Sequence, residues 1–110
     1  MLVHGQNILG FFPGKYWNTP DDRPLIIGAH WDTVETTQGF NDNGSGVAVM
    51  LEISRILISS KCFLPDYTII FIAFDGEEEG GIGAQQFINN IVVPYYKNQG
   101  VNIQVKSLQC

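Results

Sequence analysis

Three short segments carry the side chains best suited to chemistry: Gly28-Ala-His-Trp-Asp32, Gly39-Phe-Asn-Asp-Asn-Gly-Ser-Gly46 and Phe74-Asp-Gly-Glu-Glu-Glu-Gly80. The first offers an imidazole at His30 and a carboxylate at Asp32. The second sets Asp42 among small and turn-forming residues. The third supplies Glu77, Glu78 and Glu79 in a row. Imidazole nitrogen with carboxylate oxygen is the donor set of a hydrolytic zinc site. Adjacent glutamates suit a division of labour, one binding metal while its neighbour stays unbound to shuttle a proton. Each segment alone has a plainer reading. A strand-end histidine is commonly packed or solvated, Asn-Asp-Asn-Gly commonly forms a turn, and a glutamate run commonly faces solvent. All three at strand ends, in order, in one short chain favour a shared site.

The elements that must position these segments follow from the apolar pattern. Asn7–Phe12 reads as a short strand closed by Pro13-Gly14, and Asn18–Arg23 as a polar, turn-rich loop. Leu25–Ala29 reads as a second strand with His30 at its C-terminal end. Ser45 is placed to cap a helix running to about Ser59, with Val47, Met50, Leu51, Ile53, Leu57 and Ile58 as its apolar stripe. Tyr67–Phe74 is a continuous apolar run, as expected of a strand covered on both faces. Ala84 to about Val92 reads as another helix, and Val101–Val105 as the start of another strand. Strand–helix–strand with a buried second strand is a βαβ unit. The expectation is an α/β fold, a three-layer αβα sandwich with a mixed, mainly parallel sheet. Sites in such sheets lie beyond the carboxyl ends of the strands, where His30 and the Glu77-Glu78 pair both fall.

Composition sets the bounds. The chain has 110 residues, 45% apolar and 15% charged, enough for one small core and too apolar for a self-repelling disordered chain. Net charge is −5 and the six basic residues are scattered, which argues against a nucleic-acid or anionic-membrane surface. All eleven acidic residues lie between Asp21 and Glu79. No apolar run is long enough to span a bilayer, and Met1–Gly10 lacks the pattern of a signal peptide. Cys62 and Cys110 form no disulfide framework and no Cys-x-x-Cys motif.

The three segments, with Asn7-Ile-Leu-Gly-Phe-Phe-Pro-Gly14, resemble the zinc aminopeptidase family that includes secreted bacterial leucine aminopeptidases, plasma glutamate carboxypeptidase and glutaminyl cyclases. The family motif is His-x-Asp at a strand end, an Asp opening a Gly/Ser-rich helix start, and Gly/Ala-Glu-Glu after a buried strand. The resemblance covers about residues 6–90. It implies that His30, Asp42 and Glu78 are zinc ligands and that Asp42 bridges two zinc ions, with the peptide bond after it often cis. It implies that Asp32 orients the His30 imidazole, a hydrogen-bonding role that supports a ligand. Glu77 is the implied general base. The implied activity is a zinc-dependent exopeptidase, an aminopeptidase before a carboxypeptidase, hydrolysing peptide bonds with a metal-bound hydroxide. The substrate is then a peptide, with no nucleic acid and no membrane contact from this segment, and a homo-oligomer is compatible with it. Secreted or membrane-lumenal placement follows from the resemblance alone. The alternatives are a glutaminyl cyclase-like acyltransferase with one zinc, and a non-enzymatic ectodomain of the same fold.

Two departures from the family stand out. Glu79 replaces the usual apolar residue after Gly-Glu-Glu. No Asp, Glu or His follows Glu79, although the family uses two further ligands downstream. The expectation is therefore that residues 1–110 form a partial catalytic domain cut at both ends, inactive alone, with at most one of two zinc positions well ligated. Plainer motifs fail. Gly44-Ser-Gly46 has Val49 where a dinucleotide loop needs glycine, and Gly44 stands where a calcium loop needs a ligand. Asn43-Gly-Ser45 is a glycosylation sequon read as structural. Trp17 is expected to pack in its loop, and Trp31 is weighed as a pocket wall.

Overall fold

An apolar run is buried best when both its faces are covered. In the computed structural model, which describes residues 4–98, that run becomes β3 (Ile69–Phe74), the central strand of a three-stranded mixed sheet. β1 (Ile8–Phe12) pairs antiparallel with it, Ile8 opposite Ala73 and Phe12 opposite Ile69. β2 (Leu25–His30) pairs parallel on the other side, Leu25 opposite Ile69 and His30 opposite Phe74. The expected strand at Val101–Val105 and Cys110 lie outside the described residues. Cys62 is exposed in the loop after the first helix.

Helices cover both faces, giving the three layers of an α/β sandwich. α1 (Gly46–Ser59) packs mainly on β2, with a core of Met50, Ala29, Ile69 and Phe71. Val47, Ile53 and Leu57 complete its packed stripe. Leu51 and Ile58, expected in that stripe, are 59% and 69% exposed. They lie beside the packed face, and the described sheet is only three strands wide under this helix. On the opposite face runs a helix from α2 (Ile82–Phe87) through Ile88–Val92 to α3 (Val93–Asn98). Buried Phe87 meets Phe74 edge-on at 6.0 Å. Gly28 makes room for that ring, since a Cβ there would lie 2.6 Å from Phe74 Cε2.

Two further sequence expectations need correction. Ser45 does not cap α1. It is already helical (φ −64, ψ −43), makes no side-chain cap bond, and its hydroxyl donates to the Asn41 carbonyl at 2.6 Å. Asn43 caps instead, its Oδ1 accepting the Gly46 N–H at 3.0 Å. A Cβ at position 46 would overlap the Asn43 amide, so the cap requires glycine there. The second helix, expected over Ala84–Val92, starts at Ile82 and continues through Pro94 to Asn98. Proline lacks the N–H donor and crowds the preceding turn. The backbone widens over Ile88–Val92, where the Val93 N–H reaches back to the Ile88 carbonyl, and the helix continues.

The polar loop Asn18–Arg23 holds a buried anchor that sequence reading missed. Asp22 is 1% exposed and Thr68 is fully buried. Asp22 Oδ1 accepts the Thr68 N–H at 3.0 Å and Oδ2 accepts the Thr68 hydroxyl at 2.7 Å. Thr68 Oγ1 in turn accepts the Gly14 N–H at 3.3 Å. Removing a partner strands buried polar groups, at about 1–3 kcal/mol. Asp22→Ala is therefore expected to lower unfolding stability by about 1–3 kcal/mol, while Asp21→Ala, at an exposed position, changes it by less than about 0.5 kcal/mol. Urea denaturation midpoints of the two variants check this.

Candidate metal centre

Parallel pairing brings the C-terminal ends of β2 and β3 together, so the loops that follow them face each other. The Trp31 N–H donates to the Phe74 carbonyl at 2.9 Å, which carries the ladder one residue past His30. The His30 side chain is only 12% exposed. Its Nε2 lies 3.0 Å from Asp42 Oδ1 and 3.7 Å from Glu77 Oε2. Its Nδ1 lies 3.2 Å from the Asp32 carbonyl oxygen and 3.3 Å from Asp32 Oδ1. The hydrogen bond to the ring thus runs through the Asp32 main chain. Asp32 Oδ2 is engaged elsewhere, accepting the Glu78 N–H at 3.1 Å. Asp32 Oδ1 is buried and makes no hydrogen bond among the described residues. Asp32 therefore links the histidine loop to the glutamate loop. The Asp42–Asn43 peptide bond is cis, as the resemblance implied.

The charges around His30 are lopsided. Burial disfavours the imidazolium, but the Asp32 carbonyl and the carboxylates of Glu77, Asp32 and Asp42 outweigh it and raise the pKa above the ordinary 6.5. Burial likewise pushes the Asp32 carboxyl up, and the main-chain N–H groups of Glu78, Glu77 and Asp32 with the His30 charge bring it below 3.8. With Nδ1 held by Asp32, an unprotonated Nε2 would aim its lone pair at two carboxylates. Either a proton or a cation on that side resolves the clash.

The donor geometry fits a cation. One donor atom each from His30, Asp42 and Glu78 lie within 4.8 Å of one another. Ligands about 2.1 Å from a tetrahedral zinc stand roughly 3.4 Å apart, close to the 3.0 Å between His30 Nε2 and Asp42 Oδ1. The structure thus brings together all five residues singled out in the sequence: His30, Asp32, Asp42, Glu77 and Glu78. Asp42 is the most exposed of those in contact with the imidazole, at 73%.

A cleft of about 630 Å³ adjoins Asp32 and Glu78, and Glu35, Asp75 and Glu79 also line it. Glu79, the departure from the family pattern, thus stands beside the centre. Glu35 carried no motif signal and joins the cleft only through the fold. Neither tryptophan lines this cleft. Trp17 packs against Phe11 at 5.8 Å, and the Trp31 indole donates to the Gln6 carbonyl at 3.2 Å.

Known proteins resemble this chain in sequence and fold. The chain is 38% identical over 100 residues to aminopeptidase YwaD of Bacillus subtilis, a match covering 91% of this chain and 21% of that protein. It is 32% identical over 107 residues to a glutamate carboxypeptidase 2 homolog of Caenorhabditis briggsae, covering 94% of this chain and 13% of that one. The crystal structure of a Bacillus subtilis zinc aminopeptidase superposes with a TM-score of 0.68 at 39% identity, over 77% of this chain and 20% of that one. The chain therefore spans about a fifth of the length of these aminopeptidases. The model of peptidase family M28 matches residues 7–105, nearly the whole chain. With that match, and with His30, Asp42 and Glu78 gathered at the strand ends, the chain belongs to peptidase family M28.

Proposed function

We propose that the complete protein is a zinc-dependent exopeptidase that removes residues from the amino end of peptides. The observation that carries this reading is the convergence of His30, Asp42 and Glu78 donor atoms within 4.8 Å, with Glu77 at the same imidazole. Family membership supports hydrolysis, and the aminopeptidase relative is more nearly identical than the carboxypeptidase homolog. Asp42, largely exposed beside the imidazole, would hold zinc together with His30 and Glu78, and its second carboxylate oxygen would be available to a further cation.

Zinc held by His30, Asp42 and Glu78 would supply Lewis acidity toward a carbonyl or a water. The chain's own residues do the rest. The Asp32 carbonyl holds the proton on His30 Nδ1, which leaves the Nε2 lone pair free to ligate a metal. Asp32 also fixes the Glu78 main chain through its N–H. Glu77, half-exposed and unbound, takes the proton of the attacking water and returns it to the leaving amine.

Three outcomes test this. Glu77→Gln in the complete protein is expected to cut kcat by at least about a hundredfold while elemental analysis still finds zinc; near-parental turnover would refute the assignment. His30→Ala is expected to lose the metal itself, read by chelator competition. The pH dependence of stability is expected to change sign with metal. A raised imidazole pKa stabilises the zinc-free chain fully below pH 6.5, and that contribution disappears as pH rises through the folded value. Zinc binding needs the neutral ring, so it favours higher pH. Thermal unfolding at pH 6 and pH 8, with zinc and with chelator, reads both slopes.

A further inference from the structure

Glu77 and Glu78 sit on a loop whose two ends are held at one point. The loop leaves β3 at Asp75 and enters α2 near Gly83. Asn7, the residue before β1, reaches both ends with its side chain. Its Oδ1 accepts the Asp75 N–H at 3.0 Å, and its Nδ2 donates to the Gly83 carbonyl at 2.9 Å. Only one orientation of the amide satisfies both, because a flipped amide would set donor against donor. The base is closed further by the Gly83 N–H on the Asp75 carbonyl at 3.0 Å and the Ile82 N–H on the Gly76 carbonyl at 2.9 Å. Asp75 completes the knot, its carboxylate accepting the Gln6 N–H at 2.8 Å and the Gly76 N–H at 2.9 Å. A Cβ at position 83 would overlap both the Asp75 carbonyl and the Asn7 amide, so the knot closes only around glycine.

Gln6, the neighbour of Asn7, also reaches the histidine loop. The Gln6 carbonyl accepts the Trp31 indole N–H at 3.2 Å, between His30 and Asp32. The β1–β3 ladder ends at Ile8 opposite Ala73. One residue further on, the Asn7 side chain takes over as the strand partner just where the loop turns away. Glu78 then has two supports: Asp32 beside the imidazole and Asn7 at the base of its loop.

We propose that Asn7 is a positioning residue, a clamp on the Asp75–Gly83 loop that sets the reach of Glu77 and Glu78 toward His30 and so tunes metal affinity. The consequence for affinity rests on the metal reading above; the clamp does not. Groups that hold ligands in place typically alter metal affinity 10–100-fold when removed.

Asn7→Ala, Asn7→Asp and Asp22→Ala in the full chain separate these roles. Asn7→Asp keeps the acceptor for Asp75 and loses the donor to Gly83, so it serves should the alanine variant fold poorly. Asp22→Ala removes buried hydrogen bonds at the opposite end of β3 and serves as a control for general destabilisation. Amide exchange at Asp75 and Gly83 and zinc affinity by chelator competition are read for each folded variant. The expected result is faster exchange at both amides and an affinity loss of about tenfold in Asn7→Ala, with a smaller loss in Asn7→Asp. Asp22→Ala should lose stability and keep parental zinc affinity. Parental exchange in Asn7→Ala overturns the clamp. Faster exchange with unchanged affinity, or with a loss no greater than in Asp22→Ala, overturns its role in tuning the metal. If the parent chain itself takes up no zinc, the metal reading fails while exchange still decides the clamp.

Discussion

The parallel ladder between Leu25–His30 and Ile69–Phe74 fixes where every other part of the molecule can lie. In parallel pairing both strands point the same way, so both end at one edge of the sheet. His30 and Phe74 are opposite each other there, and the loops that follow must share the space beyond. An antiparallel arrangement of the same strands would have put His30 at the far end from Glu77 and Glu78. The helix between the two strands follows from the same constraint, since a parallel crossover needs a long connection. That connection also carries Asp42 past the strand ends before α1 begins.

Around His30 the molecule gathers carboxylates, and among the described residues no Lys or Arg forms an ion pair with them. Three carboxylates act on a ring that is only 12% exposed. Hydrogen bonds are engaged in holding this arrangement open rather than neutralising it. Asp32 divides its acceptors between the imidazole side and the Glu78 main chain, and Asn43 fixes the helix start beside Asp42. A frame of acceptors around one largely covered imidazole favours a cation over a neutral ligand. The mechanical support comes from the N-terminal segment, where Gln6 and Asn7 reach both loops.

Much of this was legible in the sequence. The β strands follow from apolar runs bounded by Gly, Pro and Asp, and the βαβ order follows from the length between them. His30, Asp32, Asp42, Glu77 and Glu78 could be singled out because short local motifs carry them. What could not be read locally were the contacts spanning long stretches of chain. Asp22 looked like one acid in a polar loop, yet it is buried against Thr68, 46 residues away. Asn7 looked like the start of a strand, yet it closes a loop 68 residues on. Ser45 had the composition of a cap, but the turn had already become helical there and Asn43 did the work. The helix stripe was read too wide because periodicity shows which side is apolar and not how far the sheet beneath it extends.

The sequence by itself determined the donor types, their order along the chain and the strand ends on which they fall, because side-chain chemistry and local periodicity are properties of neighbours in the chain. Only the tertiary structure decided that Asp32 reaches His30 mainly through its carbonyl, that its carboxylate holds Glu78, and that Asn7 and Gln6 brace both loops. Those are decided by distance and orientation between residues far apart in the chain, and such geometry exists only once strand register and loop closure have been set.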